Sequence, residues 1–293
     1  MELFQGSGVA IVTPFNDSGI DKPAFEMLID DHVSNGTKAL IVAGTTGESA
    51  TLTSDEKRML FEIAVKRSQG KVQVIANIGT NNTAESVSLA ALAQKAGVDA
   101  LLAVTPYYNK PNQRGLYAHF KAIASATDLP VILYNVPGRT VVNIDVMTVK
   151  ALSEISNIAG IKEAAGDLEQ VRAMIENTPE NFKLYSGNDD LYYDTLALGG
   201  NGVISVSANI APSVSQSLYD VFHRDATKAK SIQDRLDILN DVMFVGPNPV
   251  PVKCALKLKG FKGMETRLPL VSLEENETQA VEKALESFGG DTL

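Results

Sequence analysis

The sequence predicts an α/β fold, a (β/α)8 TIM barrel with a C-terminal helical extension, and three observations lead there. Eight short apolar runs, rich in β-branched residues, recur along the chain. They are separated by segments of helical periodicity, and strands alternating with helices imply a parallel sheet. No run is followed by Gly-x-Gly-x-x-Gly, the dinucleotide mark of the competing doubly wound sheet.

The runs cover residues 9–12, 39–42, 72–76, 100–104, 131–134, 158–161, 183–186 and 202–206. Seven steps of about 28 residues separate the first from the eighth, the size of one strand, one helix and two loops. Gly6-Ser7-Gly8 stands ahead of the first strand. Residues 21–34 carry Phe25, Leu28, Ile29 and His32 at helical spacing and predict the first helix. Ser54 is the expected N-cap of the second, with Glu56 two positions on to suit the helix dipole. Residues 82–96 are alanine-rich, and Gly97 closes that helix as a C′ glycine. Residues 113–126 and 168–177 follow the same plan. Beyond the eighth strand, 211–293 reads as further helix, interrupted at Pro247-Asn248-Pro249-Val250-Pro251 and resumed over 252–259. One structural unit is expected, with the barrel through strand eight in 1–210 and the last barrel helix and extension in 211–293.

The 293 residues, 44% of them hydrophobic, suffice for one large core. A net charge of −9 disfavours a nucleic-acid partner. Cys254 is alone, so no intrachain disulfide is expected. His32, His119 and His223 match no ligand spacing, so no metal is expected. The N-terminus lacks a basic segment followed by a long apolar one, and no run approaches the roughly 18 apolar residues of a membrane span. A cytoplasmic location and no membrane partner are the expectation.

In a barrel of this kind the active-site groups follow the strands. Strand two leads into Gly44-Thr45-Thr46-Gly47-Glu48-Ser49, whose N–H groups and hydroxyls suit a carboxylate or phosphate, or simply make a capped tight turn. Strand four leads into Tyr107-Tyr108, a source of a phenol or of aromatic packing at an interface. Strand five ends in Tyr134, a proton-relay candidate, followed by Arg139, a carboxylate clamp or a surface salt bridge. Strand six ends in Lys162. A lysine there is solvated, paired, or held as an amine nucleophile. The small residues within Ser186-Gly187-Asn188-Asp189-Asp190 after strand seven and Ser205-Val206-Ser207-Ala208-Asn209 after strand eight leave room for a ligand or form ordinary loops. Together these groups suit carbonyl chemistry through a Schiff base. A free lysine of pKa about 10.4 is neutral in about one molecule in 2,500 at pH 7, so such a site must assist proton removal.

At these residues the chain resembles the dihydrodipicolinate synthase family, one of the pyruvate-dependent class I aldolases that include N-acetylneuraminate lyase. The likeness runs from Gly8-Val9-Ala10-Ile11-Val12-Thr13-Pro14 through Arg267-Leu268-Pro269-Leu270, and is densest over 44–49, 105–109, 134–140, 160–166 and 199–206. Residues 247–253 also match. The resemblance implies condensation of pyruvate with L-aspartate 4-semialdehyde, in lysine and diaminopimelate biosynthesis, with no cofactor. It implies that Lys162 forms the Schiff base, with Tyr134 as general acid/base and Thr45 linking Tyr134 to Tyr108. Thr46, the backbone at Ile204, and Gly187 line the pyruvate site, and Arg139 holds the semialdehyde carboxylate. Tyr108 reaches a neighbouring subunit, which implies a homodimer or a homotetramer built as a dimer of dimers. Ser49, Ala50, Asn81, Glu85 and Tyr107 match a lysine-effector site, whereas Ser54 and Lys57 stand where lysine-sensitive members carry histidines. Whether lysine inhibits is therefore left open by the resemblance. Two rival readings are a lyase acting on a sugar acid or oxo-acid, and a non-catalytic barrel that binds an oxo-acid.

Overall fold

The computed structural model describes residues 2–289. Eight parallel strands close into a barrel: β1 (Gly6–Ala10), β2 (Ala39–Val42), β3 (Gln73–Asn77), β4 (Ala100–Val104), β5 (Val131–Asn135), β6 (Ile158–Glu163), β7 (Lys183–Ser186) and β8 (Gly202–Ser205). Each pairs with its sequence neighbours, and β1 closes the ring by pairing with both β2 and β8. The predicted barrel is thereby observed, with its strands in the predicted order.

The strands read as unbroken apolar runs because both of their faces are buried. One face meets the helices, in a cluster that includes Val9, Leu40, Leu101, Leu133 and Ile161. The other fills the interior with Ile41, Ile75, Leu102, Ile132, Tyr134, Tyr185 and Ile204. Phe4 enters from the end where the strands begin, its N–H held by Gln73 Oε1 at 2.9 Å. Its ring stacks on Tyr185 at 4.4 Å, and the Tyr185 hydroxyl donates to the Phe4 carbonyl at 2.7 Å. The interior is thus filled from the N-terminal end, leaving the other mouth for a site.

The first strand departs from the sequence reading. It begins at Gly6 and ends at Ala10, so Gly6-Ser7-Gly8 lies inside it and not ahead of it. A Cβ on Gly8 would stand 2.7 Å from the Phe4 ring, so the stretch gives up apolar side chains to admit that plug.

The surrounding helices are α1 (Lys22–Ser34), α2 (Ser54–Ser68), α3 (Thr83–Ala96), α4 (Gln113–Ala124), α5 (Pro137–Thr140), α6 (Val146–Ser153), α7 (Leu168–Asn177), α8 (Tyr192–Ala197) and α9 (Pro212–Phe222). The extension holds α10 (Ala226–Asn240), α11 (Val250–Leu258) and α12 (Glu275–Phe288). Ser54 is not the N-cap of α2. Thr53 is, in a reciprocal capping box with Glu56, because that pairing satisfies two N–H groups at once. Helix α11 starts at Val250, two residues before the expected resumption, since Pro251 is tolerated in a first turn. Helices α5, α6 and α8 have no counterpart in the sequence reading. Pro137 opens α5 and the left-handed Val141 (φ 60°) stops it after one turn, too short to show a period. Among the described residues, no helix is long and apolar enough to cross a membrane.

Candidate active site

In a strand buried on both faces, hydropathy does not tell inside from outside. The register does. Lys162 lies level with Tyr134 on β5 and Tyr185 on β7, both of the interior cluster. It is 6% exposed, and its Nζ sits 4.4 Å from the centroid of the Tyr134 ring. Among the described residues it forms no salt bridge. Of the readings open in the sequence, solvation and pairing are both unmet.

Its neighbour Glu163 alternates to the outer face and fastens the strand end. The carboxylate accepts from Asn135 Nδ2 at 2.9 Å, from the Ala165 N–H at 2.7 Å and from Gln170 Nε2 at 3.2 Å. Burial raises its pKa against those hydrogen bonds. Gly187 closes over the lysine. Its N–H donates to the Glu163 carbonyl at 2.6 Å, and a Cβ there would lie 3.0 Å from Lys162 Cε and 2.5 Å from Ala164 Cβ. Any larger residue would press on the lysine side chain and on Ala164. Ile204 on β8 is fully buried in the same interior cluster.

The turn after β2 is rigidly tied. Glu48 N–H donates to the Thr45 carbonyl at 3.0 Å, Ser49 N–H to the Gly44 carbonyl at 3.1 Å, and Thr13 Oγ1 to the Gly47 carbonyl at 2.7 Å. Thr46 is buried, and its Oγ1 accepts from Asn248 Nδ2 at 3.0 Å. Thr45 faces a cleft of about 430 Å³ that it shares with Arg139 and Asn248. Arg139 projects from α5, exposed, and makes no salt bridge among the described residues. Its structural alternative, a surface ion pair, is therefore unfilled within the chain.

Tyr108 is not brought to Lys162. It is 90% exposed and sits at φ 73°, a left-handed conformation uncommon for a tyrosine. Among the described residues no hydrogen bond joins Thr45, Tyr134 and Tyr108. Of the effector positions, Ser49, Ala50, Glu85 and Tyr107 line the cleft of Thr45, while Asn81 gives its carbonyl to Asn109 Nδ2 at 2.8 Å. Ser54 lies on the exposed start of α2. Lys57 is buried in that cleft, where desolvation lowers its pKa and Glu85 opposes the shift.

Two polar residues present in the sequence motifs were assigned no role there. Asp189 is buried, its Oδ2 accepting from the Val206 N–H at 2.9 Å and so tying the loop after β7 to that after β8. Burial raises its carboxyl pKa, and the charge on Lys162 opposes that. Asn248 lies 202 positions from Thr46, and its Oδ1 is buried without a partner. Only the fold brings it there, although residues 247–253 were already marked by resemblance.

Comparison with known proteins agrees with this geometry. The model of the dihydrodipicolinate synthetase family matches residues 3–288. A 4-hydroxy-tetrahydrodipicolinate synthase of Thermoanaerobacter sp. (strain X514) is 44% identical over 291 residues, covering 99% of this chain and 98% of that one. The crystal structure of dihydrodipicolinate synthase from Thermotoga maritima superposes with a TM-score of 0.96 at 41% identity, covering 98% and 99% of the two chains. A structure described as the first monomeric dihydrodipicolinate synthase variant superposes equally, at 0.96 and 42% identity, covering 98% and 97%. With the closed barrel, the strand-end lysine and a family match over nearly its whole length, this chain belongs to the dihydrodipicolinate synthetase family.

Proposed function

We propose that the chain catalyses the 4-hydroxy-tetrahydrodipicolinate synthase reaction, condensing pyruvate with L-aspartate 4-semialdehyde. The carrying observation is the buried, unpaired Lys162 against Tyr134 at the open mouth of the barrel. Its amine adds to the C2 carbonyl of pyruvate, and loss of water leaves an iminium. The iminium draws electrons from the methyl carbon, which loses a proton and becomes an enamine. The enamine attacks the aldehyde carbon. The semialdehyde's own amine then displaces Lys162 and closes the ring. Each proton transfer needs a nearby acid or base, and the Tyr134 phenol is the group packed on the amine. Thr46 and the backbone at Ile204 receive the pyruvate carboxylate, with Gly187 leaving the space. Thr45 and Tyr108 extend the relay from Tyr134.

Arg139 supplies specificity, because an exposed guanidinium without an ion-pair partner is free to take a carboxylate in two parallel hydrogen bonds. Arg139→Ala is expected to raise the KM for aspartate semialdehyde by about 10–100-fold, with pyruvate KM little changed. Steady-state kinetics with each substrate varied checks this. Equal turnover of sialic acid and the semialdehyde by the wild type would instead favour the sugar-acid lyase.

Tyr108 supports a site completed by self-association, in a homodimer or a homotetramer. An exposed aromatic held at positive φ is costly in isolation and is understandable where a neighbour surrounds it. Specific activity is expected to fall on dilution as the assembly dissociates, followed by sedimentation at matching concentrations. Full activity in a stable monomer contradicts the shared site. At the effector positions, the buried Lys57 cation disfavours a cationic ligand. A titration with L-lysine is expected to leave the rate unchanged, and clear inhibition would refute the effect of Lys57.

A further inference from the structure

Glu48 is a buried carboxylate that none of the steps above uses. Its side chain is 1% exposed, and its backbone sits at φ 57°, ψ 41°, a left-handed conformation that costs a non-glycine residue free energy. Such a position persists when its surroundings over-determine it. Here the surroundings come from the C-terminal extension. Lys253 Nζ, itself 1% exposed, donates to Glu48 Oε1 at 2.5 Å, and the Arg267 N–H donates to Oε2 at 3.0 Å.

The two anchors are themselves fixed. Lys253 also donates to the Glu265 carbonyl at 2.8 Å. Lys253 and Arg267 each place their charge 4.3 Å from the centroid of the Phe15 ring. The Arg267 guanidinium reaches past Glu48 to the Thr51 carbonyl at 2.9 Å and forks onto Glu56, whose carboxyl it draws down to about 2. One arginine thus grips the chain on either side of the turn's exit. With Asn248 on Thr46, the stretch from Thr46 to Glu56 is held from outside the barrel.

Burying two charges is a poor means of stabilisation, because apolar residues of the same volume often do as well or better. What an ion pair with directed hydrogen bonds adds is a single geometry. We propose that Glu48 is a positioning residue: anchored by Lys253 and Arg267, it holds residues 45–47 in the shape that receives the pyruvate carboxylate. The extension is then part of the substrate site, not packing alone. This inference rests on the reading of that turn as the pyruvate cradle.

The test uses the full chain with Glu48→Gln and with Glu48→Gln combined with Lys253→Met. Glu48→Gln leaves a buried ammonium unpaired, so its thermal midpoint falls. The double variant removes both charges and regains the midpoint. In both, pyruvate KM is expected to rise about tenfold while kcat and the semialdehyde KM stay near wild type, the mark of lost ground-state binding. A pyruvate KM that is unchanged, or that recovers together with the thermal midpoint in the double variant, overturns the proposal and leaves the pair a structural one. Amide hydrogen exchange reads the turn without catalysis and decides the matter if neither variant folds. In the wild type without pyruvate, the amides of Glu48 and Ser49, bonded to the Thr45 and Gly44 carbonyls, are expected to be as protected as those of the strands. Fast exchange there overturns the proposal. Failure of the wild type to form a borohydride-stable pyruvate adduct sinks the catalytic reading instead, separately from the order of the turn.

Discussion

Lys162→Ala is expected to form no borohydride-stable adduct with pyruvate and to lose turnover by about 10⁴-fold or more, the scale on which removal of a covalent nucleophile registers. The structure makes the assignment discriminating, because two other lysines, Lys57 and Lys253, are also buried. Lys253 is committed to Glu48, and Lys57 lies on α2, outside the ring of strands. Of these three buried lysines, Lys162 is the one that stands against the interior cluster. Lys162 forms no salt bridge among the described residues, and the buried Asp189 that feels its charge keeps the N–H groups of Val206 and Ser207, so the fold should persist. Intact-protein mass spectrometry after reduction, with circular dichroism as the control, reads the result. An adduct that survives in the variant moves the imine to another lysine and refutes the mechanism.

Tyr134→Phe carries the second largest effect, a fall in kcat of about 10²–10³-fold, within the range for loss of a positioned acid or base. The ring is 6% exposed and packs in the interior, and phenylalanine keeps that packing while removing only the hydroxyl. The adduct should therefore still form, but slowly, since addition and dehydration at the carbonyl each move protons. Rapid-quench trapping measures the rate of imine formation separately from turnover. Wild-type rates in both would exclude the phenol from proton transfer and return Tyr134 to a packing role.

Much of the fold was legible because parallel strands buried on both faces leave near-continuous apolar runs, and because helices announce themselves with closing residues such as Gly97. The first strand was displaced in the reading because Gly6-Ser7-Gly8 carries no hydrophobic pattern; Gly8 makes room for the ring of Phe4, just ahead of the strand. Helix α5, which carries Arg139, was invisible for a different reason. Four residues make one turn, too few for a period to repeat.

The amino-acid pattern revealed the order of the eight strands, the family, and which chemical groups stand at the strand ends. It did so because alternation and motif are local properties, read within one element or one loop. The tertiary structure alone decided that Lys162 points inward and Glu163 outward, since both faces of β6 are buried and hydropathy there is silent. It alone joined Asn248 to Thr46 and Lys253 to Glu48, across 202 and 205 positions. Those pairs are made by closing the barrel and folding the extension back over its mouth, and no pattern within either segment records the other.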